Sequence, residues 1–234
     1  MKIIKKLPHN KVNIEFEDGT IIYNRQYRDF SFGEIKNYNY PSICGVGYLG
    51  KDINPINYKN QYIIWKHMIK RCYTSNPCKK DLSYLDCSVC NEWLNFTNFH
   101  HWYDENYYEI PNERMQLDKD ILHKGNKIYC PECSIFVPQS INKLFTKRQN
   151  YRGKYYIGVS KISKSNKFQA SCDIGNGKLQ YIGSYITPLL AFNAYKIVKE
   201  KYIKQVADSY KNKYTIFPEK LYEAMYKYEV DIND

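Results

Sequence analysis

The sequence predicts an α+β protein made of small modules in series, and three observations carry that prediction. Alternating apolar and polar residues flank Asp18-Gly19 and Asn176-Gly177, two-residue signals for hairpins. Apolar side chains three and four apart mark amphipathic helices between them. Two Cys-x-x-Cys elements, Cys87/Cys90 and Cys130/Cys133, stand 39 residues apart, the spacing of a tetrahedral sulfur site that staples distant segments.

Each element follows from local pattern. Residues 13–25 form the first hairpin, and the Asn-, Pro-, Tyr- and Gly-rich stretch 35–52 reads as an irregular connection. Its Gly45, Gly47 and Gly50 lack the Lys-Ser/Thr ending and following helix of a phosphate loop. Ile64, Trp65, Met68, Ile69 and Cys72 give a helix over 61–73, and Trp93, Phe96, Phe99 and Trp102 give a second after the first cysteine pair. Those aromatics are expected in a core rather than as a base-stacking platform, and His67, His100 and His101 at its edge or on the surface. Residues 115–142 read as a strand, a glycine-marked turn, a second short strand and a helix start. Strands follow over 156–161, 167–174 and 178–185. Thr187-Pro188 then offers an N-cap and a first-turn proline to a helix striped by Leu190, Ala191, Ala194, Tyr195, Val198 and Tyr202. The stretch from 218 to 234 reads as a short packing helix. Four stretches result: 1–52, 53–148, 149–212 and 213–234.

Composition narrows the partners. Hydrophobic residues make up 43% of the 234 and aromatics 16%, too much buried surface for a disordered chain. No apolar run is long enough to span a membrane and the start lacks the apolar core of a secretion signal, so a cytoplasmic location is expected. The paired cysteines are then expected to be reduced ligands of one structural Zn²⁺, with Cys72 a competing ligand. Cys44, Cys78 and Cys172 are expected to serve as small apolar side chains. The net charge of +11 is concentrated: residues 140–213 hold 15 Lys or Arg against Asp173, Glu200 and Asp208. A polyanion should meet that half.

The acid at the first strand's end in 115–142, Asp118, and Asn142 in the helix can both offer oxygen to Mg²⁺ or Mn²⁺. Here the sequence resembles the HNH, or His-Me finger, nucleases. It is most similar to the phage-borne homing-type endonucleases, through the EDGT hairpin, GVGYLG, W-x-x-M-x-x-R-C-Y at 65–73, C-x-V-C-x-E-W-x-x-F at 87–96, LDKDIL, GNKIY, FVP and IN. The resemblance implies a metal-dependent DNA endonuclease acting on double-stranded DNA, with no small-molecule substrate, in which Asp118 and Asn142 hold the catalytic ion. Two positions depart from the pattern. Lys119 stands where the general-base histidine is usual, and Cys133 where a central asparagine is usual. The base is then Lys119 or the nearby His123, or the fold serves as a DNA-binding scaffold without catalysis.

The run from Gly158 to Tyr195 resembles the apetala-2/ethylene-response-factor DNA-binding domain, across about 151–207. That resemblance implies a sheet lying in the major groove, with Lys161, Lys167, Gln169, Ser171, Lys178 and Gln180 facing DNA. The basic connector before it brings Arg148, Arg152 and Lys154 to the phosphates.

Overall fold

A computed structural model describes residues 1–51, 53–77, 79–146, 154–175 and 179–234. In chain order the first elements are β1 (Lys2–Leu7), β2 (Lys11–Glu15), β3 (Ile21–Gln26), α1 (Tyr27–Ser31), α2 (Lys59–Tyr73), β4 (Ser88–Val89) and α3 (Phe96–Asn106). Then come β5 (Met115–Asp118), β6 (Ile128–Tyr129), β7 (Ile135–Pro138), α4 (Gln139–Leu144), β8 (Val159–Lys161), β9 (Phe168–Asp173), β10 (Leu179–Tyr185), α5 (Pro188–Lys213) and α6 (Glu219–Lys227). The class is mixed α+β. Contacts divide the chain into two units, Met1–Glu105 with Lys127–Glu132, and Asn106–Asn126 with Cys133–Asp234. These bounds differ from four stretches in series, because the chain leaves the first unit and returns to it.

In the first unit β1, β2 and β3 form an antiparallel meander over Val12, Ile14, Ile22 and Ile35. The Asp18-Gly19 turn is fixed by the Asp18 carboxylate, which accepts from the Thr20 N–H (3.0 Å) and from Asn37 Nδ2 (2.8 Å). Strand β1 is an addition to the predicted hairpin; its lysines hide the alternation that pairs Leu7 with Lys11. Helices α2 and α3 bury Trp65, Met68, Ile69, Phe96 and Phe99 around Trp93, and Trp65 Nε1 donates to the Trp93 carbonyl at 2.7 Å. The predicted aromatic core is therefore present. Gly50, at φ +82°, closes the glycine-rich connector against Asn95, whose Oδ1 would lie 2.2 Å from any Cβ added there. Its role is close packing.

The second unit holds two cores. In one, β5 and β7 pair antiparallel (Gln116 opposite Val137, Asp118 opposite Ile135) and α4 follows directly, burying Ile121, Ile135, Val137 and Ile141 with Ile203 and Ala207 of α5 and Leu221 and Met225 of α6. In the other, the sheet β10-β9-β8 buries Ala170 and Cys172 against Ala191, Phe192 and Tyr195 of α5. Cys172 is thus the small buried apolar residue expected; Cys44 is half-buried and Cys78 lies outside the described residues.

Helix α5 starts where the sequence predicts, with Thr187 Oγ1 accepting from the Leu190 N–H (3.2 Å), but it runs on to Lys213. Its buried residues Ala191, Tyr195, Lys199, Ile203 and Ala207 recur every fourth position. A helix turns about 100° per residue, so each such step drifts by about 40° and the buried face rotates by about 160° from Ala191 to Ala207. One continuous helix therefore serves both cores, with a buried face that drifts around it along its length. No helix among the described residues is long and apolar enough to cross a membrane.

Candidate functional site

Cross-strand partners share a face of a sheet, so Gln116 and Asp118 of β5 lie on the same face as Val137 and Ile135 of β7. Val137 and Ile135 pack with Ile141 of α4, which places both polar strand residues toward that helix. Asn142, next along α4, donates from Nδ2 to Gln116 Oε1 at 2.8 Å. The structure thus brings Asp118, Gln116 and Asn142 onto one face of a ββα unit. Gln116 is not singled out by sequence spacing, although its i, i+2 relation to Asp118 is the strand signal that finds it.

Asp118 occupies an unusual environment for an acid. Its Oδ1 accepts from the backbone N–H groups of Asp120 (2.9 Å) and Ile121 (2.8 Å), which turns the chain sharply out of β5. Burial raises its pKa from 3.8 to about 6, with the neighbouring Asp120 carboxylate adding to the rise and the two backbone hydrogen bonds opposing it. At neutral pH the group is still ionised, and the buried charge would be relieved by a cation.

Lys119, just beyond the end of β5, is buried, with Nζ 3.4 Å from Asp120 Oδ2. Its carbonyl accepts from Asn126 Nδ2 at 2.6 Å, closing the Gly125 turn. An ammonium held beside a carboxylate has the geometry of a fixed ion pair. His123 is exposed on the same turn, where its carbonyl accepts from the Asn126 N–H at 2.9 Å.

Behind the ββα unit, Glu113, Ser140 and Tyr210 form a triangle of hydrogen bonds: the Tyr210 hydroxyl donates to Glu113 Oε1 (2.6 Å), Ser140 Oγ donates to the same oxygen (2.7 Å), and the two hydroxyls lie 2.7 Å apart. Burial first, and then the Glu113 contact, pushes the Tyr210 hydroxyl up to about 12. It acts as a donor, not as a base. None of the three is singled out by sequence pattern.

Among the cysteines, β4 and β6 pair parallel, Ser88 with Ile128 and Val89 with Tyr129, and the Cys90 N–H donates to the Tyr129 carbonyl at 2.9 Å. Cys90 and Cys130 therefore each follow directly on one of two neighbouring paired strands. Cys87 is buried and Cys72 half-buried, both in the same unit; Cys133 belongs to the second unit. Burial raises the Cys90 thiol. Among the described residues no group of three or more His, Cys, Asp or Glu is gathered to hold a metal ion.

The three-stranded sheet has an outer face, remote from α5, and register assigns its residues. Ser160 lies opposite Gln169, Tyr181 opposite Ser171 and Ser184 opposite Gln169, across a bulge at Ile182. Tyr181 and Ser184 hydroxyls are 2.7 Å apart. This face carries Ser160, Gln169, Ser171, Tyr181 and Ser184, with Lys167 just before β9. Two residues expected there fall elsewhere: Lys161 lies opposite Phe168 and Gln180 opposite Cys172, on the α5 side of the sheet, though both side chains remain exposed at its margins. The cause is the cross-strand register, which alternation along separate strands does not reveal. Lys154 is exposed, whereas Arg148, Arg152, Lys178 and the Asn176-Gly177 turn lie outside the described residues.

Comparison of this chain with protein-family models, with characterised protein sequences and with solved structures found no match.

Proposed function

We propose that the protein is a metal-dependent DNA endonuclease of the phage homing type, in which the ββα unit cleaves and the three-stranded sheet engages duplex DNA. The observation that carries this reading is the shared face of Asp118, Gln116 and Asn142, with a half-buried carboxyl whose pKa burial raises. Asp118 and Asn142 would hold a Mg²⁺ or Mn²⁺ ion; two protein oxygens suit such an ion, which keeps several waters. When bound, the ion supplies charge neutralisation to the phosphodiester and a polarised oxygen nucleophile. Gln116 orients Asn142 through its carboxamide oxygen. Lys119 serves as a fixed cation at the strand end, and His123, exposed on the turn, is the side chain free to take a proton from water.

The structural zinc is proposed on Cys87, Cys90 and Cys130, with Cys133 added by the Cys-x-x-Cys spacing; the paired strands that Cys90 and Cys130 follow support it. Lys167, Gln169 and Ser171 belong to the DNA-facing surface together with Ser160, Tyr181 and Ser184, with Lys154 and Lys161 at the edges meeting phosphates. Gln180 and the undescribed Arg148, Arg152 and Lys178 remain assigned to DNA by sequence.

A second reading, a DNA-binding scaffold without catalysis, is favoured by one observation: the residue in the usual base position, Lys119, is buried and ion-paired. Plasmid relaxation by the purified protein decides between them. Nicking with Mg²⁺ or Mn²⁺ that chelation abolishes supports the nuclease; retention of DNA binding with no cleavage under either ion supports the scaffold.

A further inference from the structure

The two cores of the second unit share more than a chain connection. Helix α5 gives Ala191, Phe192 and Tyr195 to the sheet core and Ile203 and Ala207 to the ββα core without a break in its helical backbone. Between these sets lies the one stretch, 196–202, where a hinge would have to form. That stretch is braced. The Val230 N–H donates to Glu200 Oε1 at 2.8 Å, and Lys196 Nζ donates to the Val230 carbonyl at 2.9 Å.

The bracing segment is itself tied to both sides. Val230 is buried in the sheet core, while Tyr228 packs against both cores. Lys124, on the turn that follows β5, donates to the Glu229 carbonyl and to Asp234 Oδ2, both at 2.8 Å, and Asp234 also accepts from the Asp231 N–H. At the far end of α5, Tyr210 is locked to Glu113 and Ser140, the residues that lead into β5 and α4. Three attachments thus hold α5 to the catalytic candidate: a core, a hydrogen-bonded triangle and a splint.

We propose that α5 and the segment 228–234 make the sheet and the ββα unit one rigid body, so that cleavage falls at a single fixed distance from the sequence the sheet engages. This rests on the nuclease reading and adds to it what determines the cut position. Neither unit then selects the cut by reading bases at the scissile step; geometry selects it. Helix α5 is about 39 Å long, comparable with one turn of duplex, so the cut should lie within about one turn of the bound site.

Two measurements on the full chain test this. The first needs no cleavage: ¹⁵N relaxation should give one rotational correlation time for amides of 115–118 with 135–144 and of 159–173 with 179–185, and the double variant Lys196→Ala/Glu200→Ala, which removes the splint's bonds to α5, should separate the two. Distinct correlation times in the native protein overturn the proposal whether or not DNA is cut. The second maps cut sites beside the bound sequence. The native protein should cut at one offset. Inserting seven alanines after Glu200 adds about 10 Å and nearly two whole turns, keeping the phase of the helix, and should move the offset by up to about three base pairs. An offset unchanged by an insertion that folds, or native cuts scattered over many positions, overturns the proposal. Absence of any metal-dependent cleavage alongside a single correlation time removes the nuclease reading, and the fixed offset with it, while the rigid body stands.

Discussion

Each of the two cores on α5 has beside it an ionisable side chain whose pKa burial displaces, and the two differ in what surrounds them. In the ββα core Asp118 is displaced upward by burial yet is anchored by two backbone N–H groups and faces an amide pair. In the helix that backs the sheet core, Lys199 is buried to 8% exposure and its pKa is displaced downward by burial, with the Cys172 and Asp173 side chains as its electrostatic neighbours. Lys199 sits where the buried stripe of α5 passes from one core to the other, so its stem fills space there. A displaced pKa alone does not mark a site. The Asp118 environment is organised by hydrogen bonds from two backbone N–H groups, and the Lys199 environment by packing.

The largest effect expected from this contrast belongs to Asp118. Asp118→Asn keeps the shape and the acceptor oxygen but removes the charge, and Mg²⁺-dependent nicking should fall on the order of 10³-fold or more, with DNA affinity changed less than about twofold. The same variant should be more stable than the native protein at pH 7.5 by about 2 kcal/mol in urea unfolding. The sign follows from the raised pKa. The native carboxyl favours folding when protonated, so its contribution is full below about pH 4 and is lost as pH rises through about 6. The gain should therefore vanish by about pH 4. A variant that loses nicking but gains no stability at pH 7.5 would separate catalysis from the buried charge.

Next in size is Phe192→Ala, which empties a ring from the sheet core and should cost about 3 kcal/mol of stability. Because the helix is shared, amide exchange should rise in 115–118 and 135–144 as well as in 159–173 and 179–185. Protection retained in the ββα core would show that the two cores open independently.

Gln116→Leu tests the amide pair. It removes the oxygen that accepts from Asn142 and should lower kcat about tenfold, with stability within about 1 kcal/mol of native. Unchanged kcat would remove Gln116 as a positioning residue.

On the outer sheet face, Lys167→Ala should weaken binding to all duplexes similarly and reduce the slope of log K against log salt by about 1, whereas Gln169→Ala should alter preference among sequences with the slope unchanged. Equal effects of the two on the slope would argue against the assigned division between phosphate and base contacts.

The smallest effect belongs to Lys199→Met, expected to raise stability at pH 7 by about 1 kcal/mol and to leave nicking unaltered. The lowered pKa gives the sign: the charged form opposes folding at neutral pH, and native stability recovers only as pH rises toward the unfolded value of 10.5. Lost nicking in this variant would assign Lys199 a role beyond packing.

Much of this architecture is legible in the sequence where local pattern and packing agree. Thr187-Pro188 starts α5, the aromatic spacing from Trp93 to Trp102 marks the first unit's core, and the strand ends at Asp118. The rest depends on non-local register. Alternation names Lys161 and Gln180 as outward, but only cross-strand pairing decides which face each takes. The stripe ending near Tyr202 looks like the end of a helix, although it is the rotation of a four-residue repeat onto a second core. Gln116, Glu113 and Tyr210 acquire their roles from partners 26, 27, 70 and 97 residues away, which no local window contains.

The pairing of β4 with β6 carries a consequence for biosynthesis. Residues 106–126 belong to the second unit, yet Ser88 and Val89 find their strand partners only at Ile128 and Tyr129. A chain emerging from the ribosome N-terminus first therefore holds an unfinished first unit, with a strand edge open, until residue 132 has been made. Fragments that stop at residue 105 or 126 lack that closing strand and should be prone to aggregation, and separating the two units by proteolysis takes three cuts, because the chain passes between them after residues 105, 126 and 132.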